Sequence, residues 1–127
     1  MKQFFLVLAG GGLGSVIRWG LSAWVSRHLS QGGVPWGTFI VNILGCLGVG
    51  IVAAWLAMKA NPHDEPMWRL WWVTGFAGGF TTFSALSWET MTLLVKGQWG
   101  LALGYSLGSM ALGLLAMALG FYGVRAW

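Results

Sequence analysis

Thr74-Gly75-Phe76-Ala77-Gly78-Gly79-Phe80-Thr81-Thr82-Phe83-Ser84-Ala85-Leu86-Ser87-Trp88-Glu89 decides how this chain folds. The stretch holds three glycines, three threonines, two serines and one carboxylate, yet lies in an apolar region too long to be anything but membrane-embedded. In lipid, non-helical backbone survives only where protein or a water-filled cavity covers it. Paired glycines carry the largest entropic cost of staying helical, so a break is expected at Gly78-Gly79. A break exposes backbone carbonyls and amides, and hydroxyls follow at once. Membrane proteins build ion sites from that combination. Composition alone leaves a second reading open, a glycine-packed helix whose hydroxyls bond back to its own backbone.

The rest of the chain supports a membrane setting. It is 57% hydrophobic and 8% charged, with a mean hydropathy of +0.71. Soluble domains carry roughly 25% charged residues. The 127 residues leave room for four spans of about 20 residues with short loops, and for no separate soluble domain. Ten tryptophans and a net charge of +4 fit interfacial anchoring rather than nucleic-acid binding, because the seven basic residues are scattered. Cys46 reads as a small packing residue. His28 and His63 have no second ligand at metal spacing.

Outward from the central stretch, the first span is expected over Phe4–Val25. Lys2 before an apolar run suggests a signal peptide, but the run outlasts a signal core and no A-x-A site follows, so a retained helix is expected. Gly10-Gly11-Gly12-Leu13-Gly14 is no dinucleotide loop, because Ser15 stands where the last glycine is needed. Gly10 and Gly14 instead suit close helix packing. Arg18 lies about 21 Å along the helix from Phe4. It either faces protein or water, or snorkels toward an interface marked by Trp19, Trp24 and Arg27.

Ser30–Pro35 carries turn chemistry, and the second span runs from Trp36 to Met58. Thr38 and Asn42 share a face of it. An amide so deep in apolar helix must find a partner, whether as interhelical glue or as a pore donor. Gly45, Gly48 and Gly50 allow close approach. Lys59–Pro66 reads as a solvated connector. The third apolar region, Met67–Val95, exceeds one span, as a helix that breaks and restarts would. Ser84 and Ser87 then share one face, and Phe83 and Leu86 the adjacent one. Glu89 lies either at the mouth of a pathway or at the interface beside Lys96. The fourth span runs from Trp99 to Val124, with Gly104/Gly108 and Ser109/Gly113 as small-residue pairs and Tyr105, Ser106 and Ser109 on a hydroxyl-bearing side. Four spans put both termini on one side with Lys2, Lys59, Arg69 and Arg125, against Arg27 and Lys96 on the other. So weak a bias permits insertion in both orientations.

Gly78-Gly79-x-Thr81-Thr82-Phe83-Ser84, with Asn42 after Trp36-Gly37-Thr38, Arg18-Trp19 in the first span and Gly108-Ser109 in the fourth, resembles the Fluc (CrcB) family of fluoride channels. The resemblance covers the whole chain. It implies a single four-helix transmembrane domain over residues 1–127, an all-α protein whose third helix is broken near Gly78-Gly79. It implies an antiparallel, dual-topology homodimer in the bacterial inner membrane that exports cytoplasmic fluoride passively and so lowers its toxicity. It also implies a structural sodium ion on the two-fold axis, held by the backbone carbonyls of Gly78 and Thr81. Asn42 would be the pore amide and Phe83 the first ring of a phenylalanine box. Thr82, Ser84, Ser87, Tyr105 and Ser109 would lie on or near a polar track, Glu89 toward its end and Arg18 near a vestibule. Leu86 departs from the pattern, since the family usually has a second phenylalanine there.

Fluoride is small and tightly hydrated, so a pore must replace water with hydroxyl, amide and ring-edge donors. No basic cluster is present to trap the anion, which suits conduction. Two other readings remain. A small multidrug-resistance-type exporter is also a four-helix, often dual-topology protein, but needs a carboxylate in the first span, where this chain has Arg18. A non-transporting assembly subunit would use its glycines and hydroxyls for packing alone. No nucleophile–base pair or metal set suggests an enzyme.

Overall fold

The computed structural model describes residues 1–29, 32–59, 61 and 63–127, so Ser30, Gln31, Ala60 and Pro62 of the two expected connectors lie outside the described residues. The described residues form helices and short connections: α1 (Lys2–His28), α2 (Trp36–Lys59), α3 (Glu65–Arg69), a π-helical segment (Leu70–Ala77), α4 (Gly78–Phe80), α5 (Phe83–Val95) and α6 (Trp99–Arg125). Three of these, α1, α2 and α6, are long and apolar enough to cross a membrane. Each extends somewhat beyond the expected span.

The connections follow their residue types. Gly32, Gly33 and Gly97 take φ of 76°, 72° and 74°, a region open to glycine at no steric cost. At the end of α1, Arg27 and His28 occupy the last turn, where positive charge complements the helix dipole. The His28 ring lies 4.6 Å from that of Trp24. The connector expected to end at Pro66 is shorter, because Glu65 already opens α3 with Pro66 in its first turn, where the missing N–H costs no bond.

The third apolar region is interrupted, but three residues later than expected. Gly78 is helical, with φ −62° and ψ −35°. The helix ends at Phe80, and Thr81 (φ −82°, ψ 156°) and Thr82 (φ −150°, ψ 115°) are extended. Gly79 serves packing instead, while Gly78 is exposed. A Cβ on Gly79 would collide with the carbonyl of Gly11 in α1. The β-branched threonines suit the extended backbone, and Thr82 caps the next helix by accepting from the Ala85 amide. Neither Glu65–Phe80 nor Phe83–Val95 alone reaches the roughly 20 residues of a full span.

Glycine contacts fix the close helix pairs. The π segment and α4 lie against α1, where a Cβ on Gly10 would meet the Trp71 carbonyl at 2.9 Å and one on Gly14 would strike the Phe76 carbonyl. On the other side α2 runs along α6, Gly50 against the Met117 carbonyl and Gly120 against that of Leu47. A Cβ on Gly113 would meet Cys46 Sγ at 3.3 Å. The expected packing face at Gly104/Gly108 is not used within the protomer, nor is Gly48, since a Cβ at any of the three meets nothing within 4 Å. Below the break, α5 packs on α6 through Leu86, Leu93, Ala102 and Tyr105.

Candidate functional site

The interruption at Thr81-Thr82 is shaped from α2. An extended residue presents its N–H and C=O side by side, ready to exchange two hydrogen bonds as a strand does. The Asn42 carboxamide supplies both partners. Its Oδ1 accepts from the Thr82 amide at 2.8 Å, and its Nδ2 donates to the Thr82 carbonyl at 3.1 Å. Asn42 therefore joins α2 to the break, and its second Nδ2 hydrogen remains for another acceptor.

The break takes the helical donors from the carbonyls of residues 78 to 81; that of Gly79 accepts instead from Ser15 Oγ at 3.4 Å, and those of Gly78 and Thr81 lose theirs to side chains. In an unbroken helix Gly78 C=O would accept from residue 82 and Thr81 C=O from residue 85. Here the Thr82 amide goes to Asn42 and the Ala85 amide goes to Thr82 Oγ1 at 3.1 Å. Gly78 itself is exposed on the protomer surface. These are hard oxygen donors of the kind a small cation takes.

A cavity of about 210 Å³ opens beside the break, lined by Asn42, Thr81, Thr82, Phe83, Leu86 and Ser109 among others. Five of the expected pore residues thus meet in one place. Their exposure differs sharply. Phe83 is 73% exposed at the first turn of α5, whereas Leu86 is 6% exposed and belongs to the α5–α6 core. Ser84 is exposed, its hydroxyl 3.1 Å from that of Thr82. Ser87 is also exposed. The buried Ser109 hydroxyl donates to the Tyr105 carbonyl at 2.6 Å, which leaves its lone pairs for a second partner.

A second cavity, about 380 Å³, also reaches Thr82 and is lined by Arg18, Ser22, Ser26, Thr38 and Glu89 among others. Glu89 turns inward, toward α2 and α6. Thr38 Oγ1 donates to its Oε1 at 2.7 Å, and Tyr105 Oη donates to its Oε2 at 2.6 Å. Among the described residues no cation lies within 4 Å of Glu89. Arg18 shares this cavity without an ion-pair partner among the described residues. Thr82 lines both cavities. The Thr38–Glu89 contact was not legible in the sequence, although the shared face of Thr38 and Asn42 was its one available sign.

The described residues contain no group of three or more His, Cys, Asp or Glu able to hold a metal. Comparison with known proteins then decides the family. Residues 5–121 match the model for CrcB-like protein, Camphor Resistance (CrcB). The chain belongs to the CrcB family. A CrcB-family relative from Chloroflexus aurantiacus, named "Fluoride-specific ion channel FluC", is 38% identical over 127 residues, covering 100% of this chain and 98% of the relative. Relatives of the same name from Thermus thermophilus and Paracoccus denitrificans are 45% and 46% identical, each over 121 residues. They cover 95% and 94% of this chain, and 92% and 93% of their own lengths. These names denote ion channels, a class without enzymatic chemistry. CrcB membership also removes the exporter reading, whose embedded first-span carboxylate this chain lacks.

Proposed function

We propose that this chain is a fluoride-selective ion channel of the bacterial inner membrane that lets cytoplasmic fluoride leave passively. The observation that carries this is the full-length similarity to relatives named fluoride-specific ion channels. The geometry supplies a means. Thr82 is common to a cavity lined by Asn42, Phe83 and Ser109 and one lined by Thr38, Glu89 and Arg18. An anion moving past it would exchange water for the Asn42 amide, the Thr82 hydroxyl and the Phe83 ring edge. The α5 helix starts at Phe83, so the positive end of its dipole faces the break. In this reading Ser84 and Ser87, both exposed on α5, extend the hydroxyl track, while Tyr105 holds Glu89. Glu89 stands toward the end of the track, where two hydroxyl donors occupy its carboxylate.

The functional unit in this reading is an antiparallel, dual-topology homodimer of a single four-span domain, with Glu65–Phe80 and Phe83–Val95 together forming the third crossing. A sodium ion at the two-fold axis fits the freed carbonyls of Gly78 and Thr81 from both protomers. When bound it would supply positive charge and tie the two breaks together. The test is efflux from proteoliposomes read with a fluoride electrode, with chloride-loaded vesicles as control. Rapid fluoride release without chloride release is expected. Release of neither ion would favour an assembly subunit.

A further inference from the structure

Gly45 follows Asn42 by three residues on α2, on the same face one turn along. A Cβ on Gly45 would collide with the γ-methyl of Thr81 and meet Phe80 Cδ1 at 3.1 Å. Thr81 has little freedom to move aside. Its Oγ1 donates to the Ala77 carbonyl at 2.8 Å, and its amide donates to the same carbonyl at 2.8 Å. With two donors fixed on one acceptor and a branched Cβ, the side chain has one orientation. That orientation sends the methyl toward α2, where glycine leaves it room.

We infer that Gly45 is a positioning residue for the break. It seats the Thr81 methyl, and so sets how closely the turn approaches α2 where Asn42 must reach Thr82. A methyl-sized spacer there lengthens both Asn42 bonds, from starting values of 2.8 and 3.1 Å. The Thr82 amide is then free to return to the helical ladder, and the Gly78 carbonyl is lost as an open donor. Gly45 touches no ion in this scheme. It acts through Thr81 on Asn42 and Thr82. The inference rests on the channel reading above and adds a residue to it.

Ordinary helix packing would also disfavour a side chain at Gly45, but would not single out one methyl group. Thr81→Ser deletes that methyl and keeps the hydroxyl that bonds Ala77. The experiment therefore compares Gly45→Ala in two backgrounds, the parent and T81S, by fluoride-electrode efflux, with gel-filtration elution and thermal unfolding of the same samples. Fluoride efflux from parent vesicles comes first, and its failure sinks the channel reading rather than this one. Given parental efflux, Gly45→Ala is expected to lower the rate at least tenfold in the parent background, and less than threefold relative to T81S in that background. Gly48→Ala, with nothing within 4 Å of the new Cβ, is the control. Equal losses in both backgrounds overturn the proposal, as does parental efflux from Gly45→Ala or an equal loss from Gly48→Ala. If Gly45→Ala alone fails to fold, the G45A/T81S protein decides. Folded and conducting, it supports the seat. Unfolded, or folded and silent, it removes it.

Discussion

Asn42 holds both backbone groups of Thr82, accepting from its N–H at 2.8 Å and donating to its C=O at 3.1 Å. A single carboxamide thus takes the place of a partner strand at the extended backbone of Thr82. This couples two roles that look like alternatives at the level of sequence. The amide joins α2 to the break, and in the proposed channel it also keeps the chain open where an ion would pass.

Asn42→Asp separates these roles. An ionised carboxylate still accepts from the Thr82 amide but cannot donate to the Thr82 carbonyl, and sets negative charge against both that carbonyl and an approaching anion. Losing one partner of a half-buried pair costs about 1–3 kcal/mol. We expect fluoride efflux to vanish while the purified protein keeps its gel-filtration position and unfolds at a modestly lower temperature. Measurable parental efflux from the variant would show that the amide donor is not needed.

Glu89 receives hydroxyls from two different helices, Thr38 at 2.7 Å and Tyr105 at 2.6 Å. Hydrogen bonds to a charged group contribute about 1.5–3 kcal/mol each. Thr38→Val and Tyr105→Phe should each destabilise the protein. Because both act through one carboxylate, their effects should be non-additive by about 0.5–3 kcal/mol. Thermal or denaturant unfolding of the two single variants and the double variant measures the coupling. Strict additivity would mean that Glu89 does not link α2 to α6.

The glycines of α1 differ in what a methyl group would meet. At Gly12 there is nothing within 4 Å, whereas at Gly14 the new Cβ would strike the backbone carbonyl of Phe76. Gly12→Ala should be neutral or stabilising by about 0.5–1 kcal/mol through helix entropy. Gly14→Ala should cost about 1–3 kcal/mol, since backbone cannot rotate out of the way as a side chain can. A reversed order in unfolding experiments would place the α1 contact elsewhere.

The glycine pattern shows how far the sequence could be read. The Gly10/Gly14 spacing announced a packing face, and that face meets the π segment and α4. Gly104/Gly108 has the same spacing and packs on nothing in the protomer. Spacing places small residues on one side of a helix but does not say what lies opposite. The break was misplaced for a related reason. Local entropy singles out Gly78-Gly79, but Gly79 packs in helical form against Gly11, and the Asn42 clamp moves the opening to Thr81-Thr82. Glu89 has partners 51 residues before it and 16 after it, separations that no local pattern encodes.

Orientation is a further consequence of the dimer reading. Adding three lysines after Trp127 should hold the protein in one orientation by the positive-inside rule. That protein alone should conduct no fluoride, and co-expression with an oppositely biased copy should restore efflux. Full activity of the locked protein by itself would refute the antiparallel dimer.

Leu86 and Phe83 share a cavity wall but differ in what supports them. Leu86 is 6% exposed and sits in the α5–α6 core with Leu93, Ala102 and Tyr105. Phe83 is 73% exposed and has little of the protomer beneath it. Truncating Leu86 to alanine should therefore cost about 2–5 kcal/mol of stability, and Leu86→Phe about 1–3 kcal/mol, because the larger ring must displace close-packed neighbours such as Tyr105. Phe83→Leu should cost less than Leu86→Ala, because little of the protomer lies beneath the ring. It should still reduce fluoride efflux sharply, because leucine has no ring edge with partial positive charge. The two positions thus predict opposite signatures, stability loss at Leu86 and transport loss at Phe83. Unfolding temperature and electrode-measured efflux on the same preparations read both. Parental efflux from Phe83→Leu would show that the ring edge is dispensable. Leu86 would then be an ordinary lining residue in a pore that selects fluoride through its hydroxyl and amide donors.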